Sequence, residues 1–309
     1  MKRATAPVRP LIAVGAGLAA MGAAALLGLP SLAKAPEVRL TAAASAPPEG
    51  AYWHTRMLFK KTSPRRLGSG ANRYWVVEQQ LIERWTTPDG RSWVGSRELG
   101  AYPESAADRA AWRRDGSPAK WSRTADGQTV ALSTQPAKGH VSPARGDNTF
   151  LLAGQRLTYE EVQRLPADPN ALKSWLAQAA RVSRAQENAV DRDVTWALPD
   201  LLYRLPAPKE VRAAAYQALL TMPGVRARGK TVDGAGRTGM ALSIEFQTGD
   251  RKEPTKATTD LVIDTGTMLL LSEGQTSVIN GKESRGEAGN QTVLQAGWTD
   301  AAPAVPALP

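Results

Sequence analysis

Residues 262–266 contain an Asp-Thr-Gly triplet, the signature of aspartic proteases, in which two aspartates share one proton. That chemistry needs a second aspartate from a second copy of the triplet or from a symmetric partner. The sequence contains no second Asp-Thr-Gly or Asp-Ser-Gly triplet. We therefore interpret Asp264 and Gly266 as residues of a tight turn between two apolar strands.

Residues 234–239 match the pattern G-x-G-x-x-G, which is found in dinucleotide-binding loops. In those loops the glycines precede a helix whose N-terminus faces the pyrophosphate. Here Met240 begins a segment in which apolar and polar side chains alternate, as in a strand. The pattern thus predicts a hairpin loop rather than a nucleotide site.

His54 and His140 are the only histidines, and the chain has no cysteine. A metal site needs three or four ligands, and a serine or cysteine triad needs a histidine base. We therefore expect no metal site, no cofactor and no catalytic residue of these kinds. Hydrolysis by paired carboxylates remains an alternative.

Strand patterns rich in aromatic and β-branched residues lie on both sides of a helical middle segment. Thr158 with Glu161 forms a capping box, and Asp168 followed by Pro169 is typical of a helix start. The predicted strands are 52–60, 74–86, 92–98, 225–232, 240–246, 259–263, 268–272 and 292–298, and two further predicted helices are 196–205 and 208–222. Residues 101–148 resist assignment, and we expect short strands within them. This order predicts an α+β fold with an antiparallel sheet.

The apolar face of 240–246 should pack on the helices. Its predicted counterparts are Leu172, Trp175, Leu176, Val211, Ala215 and Leu219.

Residues 10–33 carry no charge and follow the basic residues Lys2, Arg3 and Arg9. About 20 apolar residues suffice to cross the hydrocarbon core of a membrane. We predict a single transmembrane helix with a cytoplasmic N-terminus, because the basic residues lie before the span. The alternative is a signal peptide cleaved near residues 42–44. In either case the rest of the chain is expected outside the cytoplasm.

The predicted organisation has five parts. They are a short cytoplasmic tail (1–9), the transmembrane anchor (10–33), an Ala/Pro-rich tether (34–50), one extracytoplasmic α+β domain (51–300) and a disordered Pro/Ala tail (301–309). Without cysteine, the exported domain must rely on its apolar core rather than on disulfides.

The chain has a net charge of +10, and several basic residues cluster just after the tether. They are Arg56, Lys60, Lys61, Arg65 and Arg66. Near a membrane such a patch can contact anionic headgroups or envelope polymers, at about 1 kcal/mol per charge. The alternative is a solvated, charged loop. Nucleic acid is not an expected partner of an exported domain.

Motifs along the second half of the chain resemble a known family. They lie at residues 166–172, 201–216, 223–225, 233–239 and 264–270. The family consists of actinobacterial single-pass membrane proteins of unknown function with an extracytoplasmic domain, some encoded near extracytoplasmic-function sigma factors. The segment 160–275 is more distantly similar to the LolA/RseB-like lipoprotein-carrier fold. That similarity implies a half-barrel, in which a curved antiparallel sheet wraps around helices and can shelter an acyl chain. The family has no assigned catalytic residues.

These observations favour a membrane-anchored, non-enzymatic, extracytoplasmic binding or sensing module for an apolar or lipidic ligand or an envelope signal. The predicted lining of the ligand site is Leu242, Ile244, Phe246, Trp175 and Leu176, and the alternative for these residues is a dry core. Two other functions remain: a cell-envelope hydrolase with paired carboxylates, and an envelope scaffold that binds protein partners through segment 50–123.

Overall fold

The computed structural model of this chain describes residues 48–63, 65–125, 128–144, 150–183, 186–248, 255–279, 282–283 and 289–309. The predicted cytoplasmic tail (1–9), membrane anchor (10–33) and most of the tether (34–50) lie outside the described residues. Within the described residues, every helix is too short or too polar to cross a bilayer.

The described residues form fourteen strands and five α-helices. In chain order they are β1 (Tyr52–Thr62), β2 (Val76–Thr86), β3 (Ser92–Pro103), α1 (Ala106–Arg114), β4 (Lys120–Ala125), β5 (Gln128–Ser133), β6 (His140–Pro143), β7 (Phe150–Leu152), β8 (Gln155–Leu157), α2 (Tyr159–Gln163), α3 (Pro169–Val182), α4 (Val190–Leu201), α5 (Lys209–Leu219), β9 (Val225–Val232), β10 (Thr238–Thr248), β11 (Thr255–Asp264), β12 (Leu269–Ile279), β13 (Lys282–Glu283) and β14 (Gly289–Thr299).

One large antiparallel sheet dominates the fold, with strand order β6-β3-β2-β1-β14-β12-β11-β10-β9 and the short β13 paired to β12. β14 lies between β1 and β12, and so joins the N-terminal strands to the C-terminal strands. The predicted α+β class with an antiparallel sheet is confirmed. Irregularities in register interrupt several strand pairs, and such bulges bend a sheet.

The helices α2 and α3 begin where their capping residues predict. The Thr158 hydroxyl accepts a hydrogen bond from the Glu161 amide, and the Glu161 carboxylate accepts one from the Thr158 amide. The Asp168 carboxylate caps α3, with Pro169 at the first helical position. The predicted helix 196–205 differs, because α4 starts earlier and ends at Leu201, just after Pro199.

The main core lies between the helices and one face of the sheet, which we call the inner face. Leu242, Ile244, Leu261 and Ile263 of β10 and β11 are completely buried there. All six predicted helical counterparts belong to the same cluster, as Leu172, Trp175, Leu176, Val211, Ala215 and Leu219. Alternating side chains on β10 therefore pack as the period-2 pattern predicts.

The segment 101–148 contains the expected short strands β4, β5 and β6, and also α1, which we did not predict. A capping box between Ser105 and Asp108 starts α1. A smaller second core lies here, in which the Trp121 indole donates to the Tyr74 hydroxyl, and that hydroxyl contacts Asp115.

Residues 301–309, for which we predicted disorder, lie against the face of the sheet opposite the helices, which we call the outer face. Pro306 is buried, and the Arg56 guanidinium donates a hydrogen bond of 2.8 Å to the carbonyl of Ala307. The tail has no regular secondary structure. The physical reason for the difference is that proline restricts the free chain, so that ordering it costs less entropy.

Truncation of a side chain should destabilise the protein much more in the buried core than on the solvent face of β10. Ile244→Ala and Leu219→Ala should each lower the free energy of unfolding by about 2–5 kcal/mol, because both side chains are completely buried. Glu245→Ala, on the opposite face of β10, should change it by less than about 0.5 kcal/mol. Urea denaturation of the three variants measures this. Equal losses for Ile244→Ala and Glu245→Ala would contradict the assigned faces.

Candidate functional site

The Asp-Thr-Gly triplet forms the turn between β11 and β12. The Asp264 carboxylate accepts hydrogen bonds from the Gly266 amide (2.8 Å) and the Thr267 hydroxyl (2.7 Å). Both bonds lower the pKa of Asp264, and the bond from Thr267 has the larger effect. The residue with positive φ in this turn is Met268 (φ 57°) and not Gly266. Asp264 therefore has the role of a turn residue.

The glycine-rich loop is likewise a hairpin, which joins β9 to β10. Its anchor is the buried Asp233, whose carboxylate accepts from the amides of Ala235 and Arg237 and forms two bonds with the Arg237 guanidinium. Arg237 also donates to the carbonyl of Leu271 in β12. A strand follows the loop, so the helix N-terminus that a nucleotide site requires is not formed here.

The five residues predicted to line an apolar ligand site all lie at the helix–sheet interface. Leu242, Ile244 and Leu176 are completely buried in the main core, and Trp175 is buried beside them. Phe246 is half-buried and stacks on Trp196 with ring centroids 4.6 Å apart. This placement matches the alternative of a packed core, and ligand binding at these residues stays a prediction.

The predicted basic cluster does not form one uniform surface. Arg56 lies 3.4 Å from the Glu83 carboxylate, and Arg66 lies over the ring of Trp75 at 5.6 Å. Lys61 and Arg65 are exposed, and Lys60 is half-buried. Their contact with an anionic surface stays a prediction.

The structure also brings together a group of polar side chains that no motif indicated. We call it the inner polar cluster, and it consists of Arg84, Asp200, Tyr203, Arg204, Glu273 and Gln291.

The end of α4 supplies half of the inner polar cluster. Asp200 lies in the last turn of α4, next to Pro199, and the turn that follows the helix carries Tyr203 and Arg204. The Arg204 guanidinium donates a 3.0 Å bond to the Asp200 carboxylate. This turn is fixed to the sheet at two points, because the Tyr203 carbonyl accepts from the Trp53 indole and the Leu202 carbonyl accepts from the Leu270 amide.

The sheet supplies the other half. Glu273 of β12 and Gln291 of β14 are cross-strand partners on the inner face, and the Gln291 amide donates to the Glu273 carboxylate at 2.6 Å. The same amide contacts the Tyr203 hydroxyl at 3.2 Å. Two residues along β12 from Glu273, the buried side-chain amide nitrogen of Gln275 has no acceptor among the described residues.

Arg84 of β2 differs from the other members because its side chain forms no hydrogen bond or ion pair with the described residues. Its cross-strand neighbours on the inner face are Thr55 of β1 and Val94 of β3. Burial lowers the pKa of Arg84, and the positive charge of Arg204 lowers it further. A guanidinium in this environment gains free energy when an anion pairs with it.

The pKa values of the two carboxylic acids in the cluster are raised, whereas that of Arg84 is lowered. Burial raises the pKa of Asp200, and the ion pair with Arg204 only partly offsets this. Burial also raises the pKa of Glu273, and the negative charge of Asp200 adds to that shift. The Tyr203 pKa is raised for the same reasons. Two perturbed carboxyl groups beside charged partners are typical of functional sites.

The Asp200–Arg204 pair is surrounded by protein and yet reached by solvent. Burial is the largest cause of the Asp200 shift, although 27% of the Asp200 side chain and 42% of the Arg204 side chain remain accessible. Half-buried apolar residues, among them Ile82 and Val94, lie beside Arg84 on the same face.

Sequence reasoning missed the inner polar cluster because its members come from β2, the end of α4 with the turn after it, β12 and β14. One local signal was present, namely the charged pair Asp200 and Arg204 inside an otherwise apolar stretch from 198 to 206. The described residues contain no group of three or more His, Asp or Glu side chains that could hold a metal ion.

No family model matches this chain, and no curated protein matches it. Among solved structures, the chain is similar to the β-barrel-like protein of domain of unknown function DUF1849 from Brucella abortus. The identity is 10%, the match covers 81% of this chain and 99% of that chain, and the TM-score is 0.20. A TM-score this low carries no argument about fold or function.

The Asp233 network predicts a specific loss of stability in acid. Burial alone would raise the pKa of Asp233, but hydrogen bonds from Arg237 and the turn amides lower it below its ordinary value of 3.8. The ionised carboxylate therefore stabilises the fold above this value, and the stabilisation is lost as the pH falls through the folded-state pKa.

Asp233→Asn should consequently lower the free energy of unfolding by about 1–3 kcal/mol at pH 7. The difference from the wild-type protein should shrink between pH 4 and pH 2. Urea denaturation at each pH measures both quantities. A difference that stays constant over this range would contradict the role of the ionised carboxylate.

Proposed function

We propose that this chain is a membrane-anchored, non-enzymatic, extracytoplasmic binding or sensing module. The charge-free segment 10–33 after Lys2, Arg3 and Arg9 supports the anchor. We further propose that the ligand is an amphiphile with an anionic group, which binds at the inner polar cluster.

The observation that carries the ligand proposal is the uncompensated charge of Arg84. Arg84 has no carboxylate partner among the described residues, and the nearby Arg204 repels it. A carboxylate or phosphate group would relieve this repulsion and accept bidentate hydrogen bonds from a guanidinium.

Two observations support an apolar portion of the ligand. Ile82 and Val94 are half-buried on the inner face beside Arg84, where they can contact a chain that leaves the charged end. The resemblance of segment 160–275 to lipoprotein carriers points in the same direction. The completely buried residues Leu242, Ile244 and Leu176 would then support the site from the core rather than line it.

Removal of the Arg84 charge should weaken the binding of an anionic amphiphile. We expect Arg84→Gln to raise the Kd of dodecyl phosphate at least tenfold, because a charge-assisted hydrogen bond contributes about 1.5–3 kcal/mol. Isothermal titration calorimetry below the critical micelle concentration measures this. Arg228→Gln is the matched control, since Arg228 lies half-exposed on the edge strand β9. Equal affinities of wild type and Arg84→Gln, or equal binding of neutral dodecyl maltoside, would contradict the proposal.

A second candidate function is a cell-envelope hydrolase with paired carboxylates. Asp200 and Glu273 favour it, because both have raised pKa values and the charge of Asp200 contributes to the shift of Glu273. A carboxylic acid with a raised pKa is suited to act as a general acid near neutral pH.

The two functions differ in what Glu273→Gln does. For a hydrolase, the release of reducing ends from purified peptidoglycan should fall at least a hundredfold in Glu273→Gln. For a binding module, the wild-type protein releases none, and Glu273→Gln changes only the affinity for dodecyl phosphate. Turnover by the wild-type protein that disappears in both Glu273→Gln and Asp200→Asn would establish the enzyme instead.

A further inference from the structure

The outer face of the sheet buries charged groups on the side away from the helices. Glu83 of β2 is only 4% exposed, and its carboxylate contacts the His54 ring nitrogen at 2.8 Å and Arg56 at 3.4 Å. His54 also stacks on Trp85, with ring centroids 4.8 Å apart. A carboxylate on a sheet face opposite the core stays buried only when another part of the chain covers it.

The segment after β14 provides part of this cover. Arg56, Glu83 and Gly95 are cross-strand neighbours in one row across β1, β2 and β3. At the end of this row Pro306 packs so closely on Gly95 that a Cβ atom there would lie 3.0 Å from the proline Cδ. At the other end, Arg56 donates to the carbonyl of Ala307. We call this surface the tail groove, defined by Tyr52, Arg56, Trp93 and Gly95.

The seated segment has the chemistry of a polyproline ligand. Pro303, Pro306 and Pro309 recur at every third residue. A polyproline II helix has three residues per turn, so this spacing places prolines along one side of the segment.

The groove also carries the side chains that polyproline-binding domains use. Trp93 lies two residues from Gly95 on the same face of β3, and it meets Tyr52 edge to face at 5.9 Å. Aromatic side chains that pack on proline, together with a donor to a ligand carbonyl, are the recurring means of polyproline recognition. Gly95 allows the close approach of a proline ring, and Arg56 is the donor.

We propose that the tail groove is a binding site for extended proline-rich segments of a partner protein, and that residues 302–309 occupy it as a competing ligand in cis. This inference is independent of the inner polar cluster, which lies on the opposite face of the sheet. A tethered ligand acts at an effective concentration on the order of 1 mM. If the free groove binds with a Kd of about 100 µM, the tail weakens binding of an external peptide about tenfold.

Fluorescence anisotropy of a labelled peptide with the sequence of residues 300–309 tests the proposal on the full chain. The wild-type protein should bind this peptide weakly. Pro306→Gly, which loosens the tail in cis, should bind it about tenfold more tightly. The double variant Pro306→Gly/Gly95→Val should lose at least tenfold of that affinity, because the valine fills the space of the proline ring.

Two controls accompany these variants. The first is Gly297→Ala in the Pro306→Gly background, which adds a methyl group to the same outer face. A Cβ at this position touches no other atom, so peptide binding should be unchanged. A peptide with alanine at all three proline positions should not bind. Circular dichroism establishes folding of each variant, and Trp93→Ala replaces Gly95→Val if the latter fails to fold.

Three results would overturn the proposal. They are equal peptide binding by wild type and Pro306→Gly, equal binding of the alanine peptide, and a wild-type dimer that becomes monomeric in Pro306→Gly without peptide binding. The last result would mean that the segment is exchanged between two copies of the chain.

Discussion

The pairing of β14 between β1 and β12 is the interaction on which the rest of the structure depends. It brings Tyr52 opposite Thr299 and Ser272 opposite Thr292, and so makes one sheet of strands from both ends of the domain. Without β14, the three N-terminal strands would share no strand pairing with the sheet that covers the helices. The same strand holds Gln291 between Glu273 and Phe59, and it leads directly into the segment that covers the outer face.

Much of the fold follows from local sequence patterns. The capping residues Thr158 and Asp168 mark two helix starts, and the alternation from Met240 to Phe246 identifies a strand with one buried face. Each of these signals involves residues that are close together in the sequence, within one or two helical turns or along one strand. They can therefore be recognised from a single sequence. The start of α1 carried the same type of signal at Ser105 and Asp108, but Gly, Pro and charged residues around it obscured the helical period.

The candidate sites depend on contacts that no local pattern encodes. Glu273 and Arg84 look like ordinary polar positions of half-buried strands, and only the order of strands in the sheet brings them to the turn after α4. The covering of the outer face depends on where Gly95 falls in the register of β2 and β3. The five residues chosen from the sequence as ligand contacts were the most apolar ones, and burial in the core is the strongest tendency of such side chains.

The position of β14 also bears on how this chain reaches its folded state. The Ala51 amide donates a hydrogen bond to Asp300, which is 249 positions away in the sequence. The pairing of β1 with β14 at the centre of the sheet therefore has a very high contact order. Such pairings form slowly, since the entropy of closing the intervening chain must be overcome first. Until β14 is in place, one edge of β1 presents unpaired backbone groups, which can pair with other chains. A central strand that joins late therefore leaves the folding chain exposed to aggregation until β14 is paired.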